Sequence, residues 1–271
     1  MKKILVPTDF SPNAQNAFVY ALELAKEFEA EVILLNTYSI PYSGSTVMVD
    51  ITDVLKEEAW KELEKQMETA RLQYPSVHVT PAAEYGSAAD VITAAVDNFG
   101  IDFIIMGTKG AHGIKGTIFG SITSAVMKKV DIPVLAVPED FEYKKPKSVL
   151  YPTDLSGGYG DHFKALKSIL EKFQSELTIL NVSEDAAELN QEKIKADFTK
   201  EHQELLTGTH EFVFVQDDEV EEGIVTHIVN NPCDLMVTVA HHYGIFERLM
   251  HRSMVRRLTL HSTVPLLIVR D

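Results

Sequence analysis

Apolar residues follow two different spacings along the first half of the chain. Short, nearly continuous apolar runs occur at 3–6, 31–36, 77–82, 103–106 and 133–137. Between these runs, apolar residues recur every three to four positions at 13–28, 54–74, 88–98 and 121–129. The first pattern is typical of strands buried on both faces, and the second of amphipathic helices. The chain therefore predicts alternating strands and helices, with Ser11 capping the first helix and Pro12 at its first position.

The second half of the chain repeats the first. KILVPTD at 3–9 recurs as SVLYPTD at 148–154, an offset of 145. Later in each copy the offset is 132, where DFIIM recurs as DLMVT and PVLAV as PLLIV. The difference gives the first copy about thirteen extra residues, which we place in the Ser-, Thr-, Gly- and Pro-rich segment 38–53. The second copy's strands are predicted near 148–152, 176–182, 210–215, 235–239 and 265–269.

Alternating strands and helices with continuous apolar strands predict an α/β fold with parallel sheets covered on both faces. We expect two tandem doubly wound, Rossmann-like domains, each with a five-stranded parallel sheet in the order 3-2-1-4-5. The predicted domains are 1–142 and 146–271. The charged segment FEYKKPK at 141–147 is the predicted linker.

Composition narrows the classes of partner. The chain carries 25 basic and 40 acidic residues, a net charge of −15, and both halves are acidic. Such a surface repels phosphate backbones and anionic lipid, which argues against nucleic acid or membrane as the main partner. No apolar run approaches the roughly 20 residues of a membrane span, and the N-terminus lacks a secretory pattern. With Cys233 as its single cysteine, the chain is predicted to be cytoplasmic.

Two predicted loops lie where open parallel sheets bind ligands, beyond the carboxyl ends of strands. Pro7-Thr8-Asp9 follows the first strand, and a segment with five of the fourteen glycines, 107–120, follows the fourth. Glycine permits close backbone approach, and successive amides leading into a helix form an anion site. The segment therefore favours a phosphate chain, although a glycine-rich loop without a ligand is the alternative. Neither a P-loop nor a GxGxxG motif is present.

The same segment fits the pattern G-x2-G-x9-G-[ST] through Gly107, Gly110, Gly120 and Ser121. With ILVPTDFS near the start, GSAADVI at 86–92 and IPVLAV at the end of the copy, the chain resembles the universal stress protein family in its tandem two-domain form. The resemblance covers nearly the whole chain, counted twice.

The resemblance implies an ATP site in the first copy. Pro7, Thr8 and Asp9 would flank the adenosine, with the Asp9 carboxylate hydrogen-bonded to it. Thr37, just past the second strand, would line the adenine pocket.

The ribose and phosphates would meet residues of the fourth strand, the glycine-rich segment and the helix after it. Met106 and Gly107 would contact the ribose. Mg²⁺ would be held mainly by phosphate oxygens, since magnesium prefers oxygen and keeps several waters. The residues implied at the phosphates are Gly110, Gly120, Ser121, Thr123, Ile122 through its backbone, and the lysines Lys109 and Lys115, for which a solvated surface role is the alternative.

The second copy departs from this pattern. Val239, His242 and Arg252 stand where the first copy has its three glycines, while Ser253 and the PTD at 152–154 are retained. Side chains at the three positions would fill the phosphate site. The sequence therefore predicts one ATP per chain, bound in the first copy.

Other chemistry-bearing residues have plainer interpretations. His241, His242 and His251 fit no recognised metal spacing and are taken as surface residues, with a metal site as the alternative. Cys233 is predicted to be a buried or half-buried inert thiol. The acidic run 217–222 is predicted to be a solvated face at a helix start.

No Ser-His-Asp or Cys-His arrangement is present, so we expect any ATP hydrolysis to be slow. The favoured function is a nucleotide-dependent stress-response sensor or switch with a protein partner that the sequence does not identify. The alternatives are a slow ATPase or nucleotidyl-transferring enzyme, and a scaffold or a protein that binds another ligand. The family dimerises through its last strands. We therefore expect the two copies to pair through 133–137 and 265–269, with homodimerisation as a further possibility.

Overall fold

A computed structural model describes residues 1–40, 51–109, 119–155, 163–184, 186, 190–240 and 264–270. These residues divide into two compact units, unit 1 ending at Tyr143 and unit 2 beginning at Lys144. No helix among the described residues is long and apolar enough to cross a membrane.

Unit 1 alternates strands and helices along its whole described length. Its strands all pair in parallel, in the order β3-β2-β1-β4-β5. The elements are β1 (Lys3–Thr8), α1 (Pro12–Phe28), β2 (Glu31–Tyr38), α2 (Thr52–Gln73), β3 (Val79–Tyr85), α3 (Ala88–Phe99), β4 (Phe103–Gly107), α4 (Ser121–Lys129) and β5 (Val134–Val137).

Unit 2 repeats this topology. Its parallel strands lie in the order β8-β7-β6-β9-β10, which is again third, second, first, fourth, fifth. The predicted fold of two doubly wound five-stranded sheets is therefore confirmed. The elements are β6 (Ser148–Pro152), α5 (Lys164–Phe173), β7 (Glu176–Ser183), α6 (Gln191–Glu201), β8 (His210–Gln216), α7 (Val220–Asn230), β9 (Leu235–Ala240) and β10 (Leu266–Arg270).

The start of α1 follows the predicted chemistry. The Ser11 side chain accepts a hydrogen bond from the Ala14 amide, and Pro12 occupies the first helical position. Proline costs nothing there because that amide has no partner inside a helix. On the buried face of the helix, Ala17 and Phe18 pack into the core beside the strands.

β1 and β2 each extend two residues beyond their predicted ends. β1 continues through Pro7 and Thr8, and β2 continues through Tyr38, so Thr37 lies inside β2 rather than after it. The short apolar runs ended where polar residues began. The backbone pairing continues because hydrogen bonding in a parallel ladder does not depend on whether a side chain is apolar.

The two central strands separate before they end. The ladder between β1 and β4 ends at the pair Leu5–Ile104. On the outer sides, β1 stays paired to β2 as far as Thr8–Asn36, and β4 to β5 as far as Gly107–Val137. The resulting gap, here called the β1–β4 crevice, is the switch point where a doubly wound sheet binds its ligands.

Candidate functional site

A tight turn forms one wall of the β1–β4 crevice. The Phe10 amide donates to Thr8 Oγ1 at 3.0 Å, and the Ser11 amide donates to Asp9 Oδ1 at 3.1 Å. These bonds hold Phe10 in the left-handed region, with φ of 62°. A non-glycine residue pays about 1–2 kcal/mol for that conformation. The strained turn leaves the Asp9 side chain exposed at the mouth of the crevice.

Asn36 fixes this turn from the neighbouring strand. Its side-chain amide donates to the Thr8 carbonyl at 2.8 Å, and both residues are buried. Thr37 follows on β2, half-buried and paired with Glu84 of β3. The structure therefore brings Thr37 beside the Thr8–Asp9 turn. The sequence analysis missed Asn36, although an asparagine inside an apolar strand was a visible signal.

Asn13 forms the centre of the opposite wall. Its side chain is 2% exposed, and its amide donates to the Val137 carbonyl at 2.9 Å. Its Oδ1 accepts from the Lys109 amide at 2.7 Å and from Thr108 Oγ1 at 3.4 Å. Asn13 thus joins the first turn of α1 to the ends of β4 and β5. The sequence analysis did not single it out, because its partners are about a hundred residues away.

Gly107 is required by this packing. A β-carbon at position 107 would lie 2.7 Å from Asn13 Oδ1 and 2.8 Å from its Cγ. The first glycine of the family pattern therefore serves the protein's own side chain, whatever else it contacts. Met106 precedes it, buried in β4 and paired with Ala136.

The two described ends of the glycine-rich segment 107–120 are held together at its base. The Gly120 amide donates to the Thr108 carbonyl at 2.7 Å, and Thr123 Oγ1 donates to the Gly107 carbonyl at 3.0 Å. Thr123 is buried, and its hydroxyl proton serves this bond. The base thereby brings Gly107, Lys109 and Gly120 together. Gly110 and Lys115 lie outside the described residues.

The first turn of α4 offers backbone donors. Gly120 is the N-cap residue and has no side-chain capping hydrogen bond. Ser121 and Ile122 are exposed. The first amides of a helix lack intrahelical partners and carry the positive end of the helix dipole, so they suit an anion. Pro7 lies across the crevice, half-buried in β1 and paired with Leu35.

Unit 2 keeps the turn but not the glycine. The Leu155 amide donates to Thr153 Oγ1 at 3.1 Å, and Leu155 has φ of 59°. Asn181 donates to the Thr153 carbonyl at 3.1 Å, as Asn36 does for Thr8. Val239, 5% exposed, stands at the position of Gly107. His242, Arg252 and Ser253 lie outside the described residues.

The remaining sequence candidates are accounted for where the structure describes them. Cys233 is buried, and burial raises the pKa of its thiol to about 12, which fits the predicted inert thiol. Glu219 is the N-cap residue of α7, with Glu221 and Glu222 in its first turn, as the acidic run predicted. No group of three potential metal ligands occurs among the described residues. The histidines at 241, 242 and 251 lie outside that part of the chain.

Comparison with known proteins identifies the class to which this tandem doubly wound protein belongs. The model of the universal stress protein family matches residues 1–138 and 146–270, so the chain belongs to that family, in tandem form.

Three similar proteins illustrate the relationship. A universal stress protein of Methanocaldococcus jannaschii, MJ0531, is 34% identical over 152 residues, covering 54% of this chain and 84% of that protein. The structure of a universal stress protein from Archaeoglobus fulgidus aligns with 99% of this chain, and the alignment includes 96% of that protein's chain. The two are 19% identical with a TM-score of 0.69, so they share the fold. The structure of a universal stress protein in complex with cAMP aligns with 50% of this chain, and the alignment includes 96% of that protein's chain, with 23% identity and a TM-score of 0.39.

Proposed function

We propose that this protein binds ATP in the β1–β4 crevice of unit 1 and acts in the cytoplasm as a nucleotide-dependent stress-response sensor or switch. One observation carries the proposal. The exposed Asp9 carboxylate and the uncapped first turn of α4 belong to the two sides of one crevice. A carboxylate accepts hydrogen bonds from a nucleoside, and free helix amides bind phosphate.

The residues around the crevice fit the two ends of the nucleotide. On the β1 side, Thr8 and Asp9 sit in a strained turn, and strain of this kind clusters at functional sites. On the α4 side, Ser121 and Ile122 are exposed residues in the first turn of the helix, where a hydroxyl and backbone amides are available as donors. Mg²⁺, where it accompanies the phosphates, would be held mainly by phosphate oxygens.

The described groups suit holding a nucleotide better than hydrolysing it. Asp9 already accepts the Ser11 amide through one oxygen, which orients the carboxylate within the turn. No arginine or histidine occurs in the described segments 7–13, 106–109 and 119–123. An arginine finger is one of the groups that accelerate phosphoryl transfer, and we therefore propose that any ATP hydrolysis is slow.

Unit 2 departs from the glycine pattern in its sequence. The buried Val239 stands at the position of Gly107, and His242 and Arg252 stand at the sequence positions of Gly110 and Gly120. We therefore expect one ATP per chain. The switch would act through the glycine-rich segment, since bound phosphate orders loops of this kind and changes the surface shown to a protein partner.

Calorimetric titration of the full chain with Mg²⁺-ATP tests the proposal. We expect one site per chain. Asp9→Asn should lower the affinity about tenfold, because it removes the carboxylate charge but keeps an oxygen for the Ser11 amide. The matched variant Asp154→Asn, in the same turn of unit 2, should leave the affinity unchanged. Equal losses in the two variants, or two equivalent sites, would contradict the assignment to unit 1.

A second variant tests the phosphate side. Gly120 has φ of −66°, which any residue adopts, so Gly120→Val should fold. Its side chain at the α4 N-terminus should weaken ATP more than adenosine. Native mass spectrometry of freshly purified protein is the complementary measurement, since a retained adduct with the mass of ATP supports the proposal and another mass identifies a different ligand.

A further inference from the structure

One face of α1 carries three residues that hold distant parts of unit 1. Asn13, Asn16 and Tyr20 stand three and then four positions apart, the spacing that places side chains on one side of a helix. Asn13 binds the base of the glycine-rich segment, as described above. The other two residues bind the segment 138–143, here called the exit segment, through which the chain leaves unit 1.

Asn16 holds the exit segment by hydrogen bonds. Its side-chain amide donates to the Pro138 carbonyl at 2.8 Å and to the Phe141 carbonyl at 2.9 Å. Both protons of one amide group are thus used on backbone oxygens three residues apart. The Phe141 amide in turn donates to the Pro138 carbonyl at 3.3 Å, closing a turn around the Asn16 side chain.

Tyr20 holds the same segment by aromatic packing. Its ring meets Tyr143 edge to face, with centroids 5.0 Å apart and planes at 80°. The ring of Phe141 also packs against Tyr20, with ring centroids 6.3 Å apart and ring planes at 44°. Burial raises the pKa of the Tyr143 hydroxyl well above its ordinary value, with the Glu27 and Glu23 charges acting in the same direction.

The two sets of contacts meet on consecutive residues. Asn13 binds the Val137 carbonyl, and Asn16 binds the Pro138 carbonyl. Two asparagines one turn apart on α1 therefore hydrogen-bond the adjacent carbonyls of Val137 and Pro138. Displacing the Lys109 amide from Asn13 must either break a buried 2.7 Å hydrogen bond or move the first turn of α1, which also carries Asn16.

We propose that Asn13 is a positioning residue for the base of the glycine-rich segment, residues 107–109 and 120, and that Asn13 and Asn16 together couple this base to the exit segment. The nucleotide part of the proposal rests on the proposed function. An ATP that shifts the base of the glycine-rich segment changes the hold of Asn16 on residues 138–143, and unit 2 begins directly after them. Where bound ATP strengthens this hold, loosening the exit segment must, by reciprocity, weaken ATP binding by the same coupling free energy.

Amide hydrogen exchange of the ligand-free full chain tests the coupling without nucleotide. Asn16→Ala should speed exchange of the Lys109 amide by at least about threefold, although Asn16 does not touch Lys109. Asn13→Ala should likewise speed exchange of the Phe141 amide. Asn98→Ala, an exposed asparagine of α3, is the control and should change neither. Effects confined to each asparagine's own partners would overturn the coupling.

A conservative variant covers the case in which Asn13→Ala fails to fold. Asn13→Asp keeps an acceptor for the Lys109 amide and loses the donor to the Val137 carbonyl. It should leave Lys109 protected while speeding exchange of the Phe141 amide. Unchanged exchange at Phe141 in this variant would also overturn the coupling.

Hydrogen exchange measured with Mg²⁺-ATP present distinguishes failure of the coupling from failure of the proposed function. In the unaltered protein, saturating Mg²⁺-ATP should change exchange across 138–143. In Asn16→Ala, ATP should bind more weakly and produce no change there. If the unaltered protein binds no ATP, the proposed function fails and the ligand-free exchange still decides the coupling. ATP binding with an undiminished response in Asn16→Ala would overturn the coupling alone.

Discussion

In unit 1, the side chain of Asn13 fills the space that a β-carbon at Gly107 would need. A β-carbon at residue 107 would come within 2.7 Å of Asn13 Oδ1, so the asparagine requires the glycine. At the corresponding sequence positions of unit 2 the pair is reversed, with Val239 at the position of Gly107 and Gly158 at the position of Asn13. In sequence, the larger residue of the pair has thus changed place with the smaller one.

This exchange gives a stability prediction. Gly107→Val should destabilise unit 1 by about 1–3 kcal/mol, because the buried Asn13 side chain would have to leave a position in which both its nitrogen and its oxygen are hydrogen-bonded. Adding Asn13→Gly should recover part of the loss by restoring the combination found in unit 2. Trp60, the only tryptophan, lies on α2, so its fluorescence during urea unfolding reports unit 1.

The double variant also separates stability from binding. It should regain stability without regaining ATP affinity, since it lacks the asparagine that holds the Lys109 amide. Independent, additive effects of the two substitutions would show that the two residues do not compete for space.

Matched carboxylates anchor the first strand of each unit. Asp102 accepts the Lys2 amide at 2.7 Å and the Lys3 amide at 3.2 Å. Asp234 accepts the Lys147 and Ser148 amides, each at 3.0 Å. Alanine at either aspartate should cost its own unit about 1 kcal/mol, because two strand amides lose a charged acceptor.

The unit-specific probes check this prediction. Asp102→Ala should lower the urea midpoint seen by Trp60 fluorescence, and Asp234→Ala should lower the urea concentration at which Cys233 of unit 2 becomes fully accessible to labelling. Asparagine at the same positions keeps one acceptor and should recover part of the loss. A change reported only by the probe of the other unit would contradict the assignment.

One buried and one half-buried histidine make the stability of unit 2 depend on pH. Burial lowers the pKa of His202, which lies edge to face against Phe198 and Phe163, and burial also lowers the pKa of His227. The unfolded chain then binds these protons at higher pH than the folded chain. Stability should therefore be constant above the ordinary histidine value of about 6.5 and should fall as the pH drops below it.

Urea unfolding at about pH 7.5 and about pH 5.5 measures this effect on either side of the ordinary histidine pKa. His202→Phe keeps an aromatic ring against its neighbours and should reduce the loss at the lower pH. The same loss in that variant and in the parent would exclude His202 as the source.

Cys233 reports the opening of unit 2. With its pKa raised to about 12, about one thiol in ten thousand is ionised at pH 8, and the side chain is 8% exposed. Alkylation should therefore be slow in the folded protein and should reach the rate of a free thiol in strong urea. Rapid modification under native conditions would mean that the segment before β9 opens without global unfolding.

Local sequence patterns were sufficient to predict the fold, but they did not predict where each strand ends. The apolar runs located every strand, and Ser11-Pro12 located the start of α1, because periodicity and capping act over a few residues. Thr37 was placed outside β2 because a polar residue ends an apolar run but not a ladder of backbone hydrogen bonds. For the same reason Pro7 and Thr8 belong to β1.

The side-chain contacts around the crevice could be identified only from the tertiary structure. The pattern of glycines indicated Gly107, but only the structure shows that Asn13 is what the missing β-carbon makes room for. Thr123 was expected among the phosphate ligands, and in the structure its hydroxyl proton is given to the Gly107 carbonyl. That phosphate role stays a prediction.

The sequence by itself determined the duplication, the order of strands and helices, and the segments that follow β1 and β4, because these depend on residues close together in the chain. Tertiary structure alone decided that Asn13 and Asn16 bind chain segments about 95 to 125 residues away. Hydrogen bonds over such separations leave no periodic trace in a single sequence, since each depends on two positions that only folding brings together.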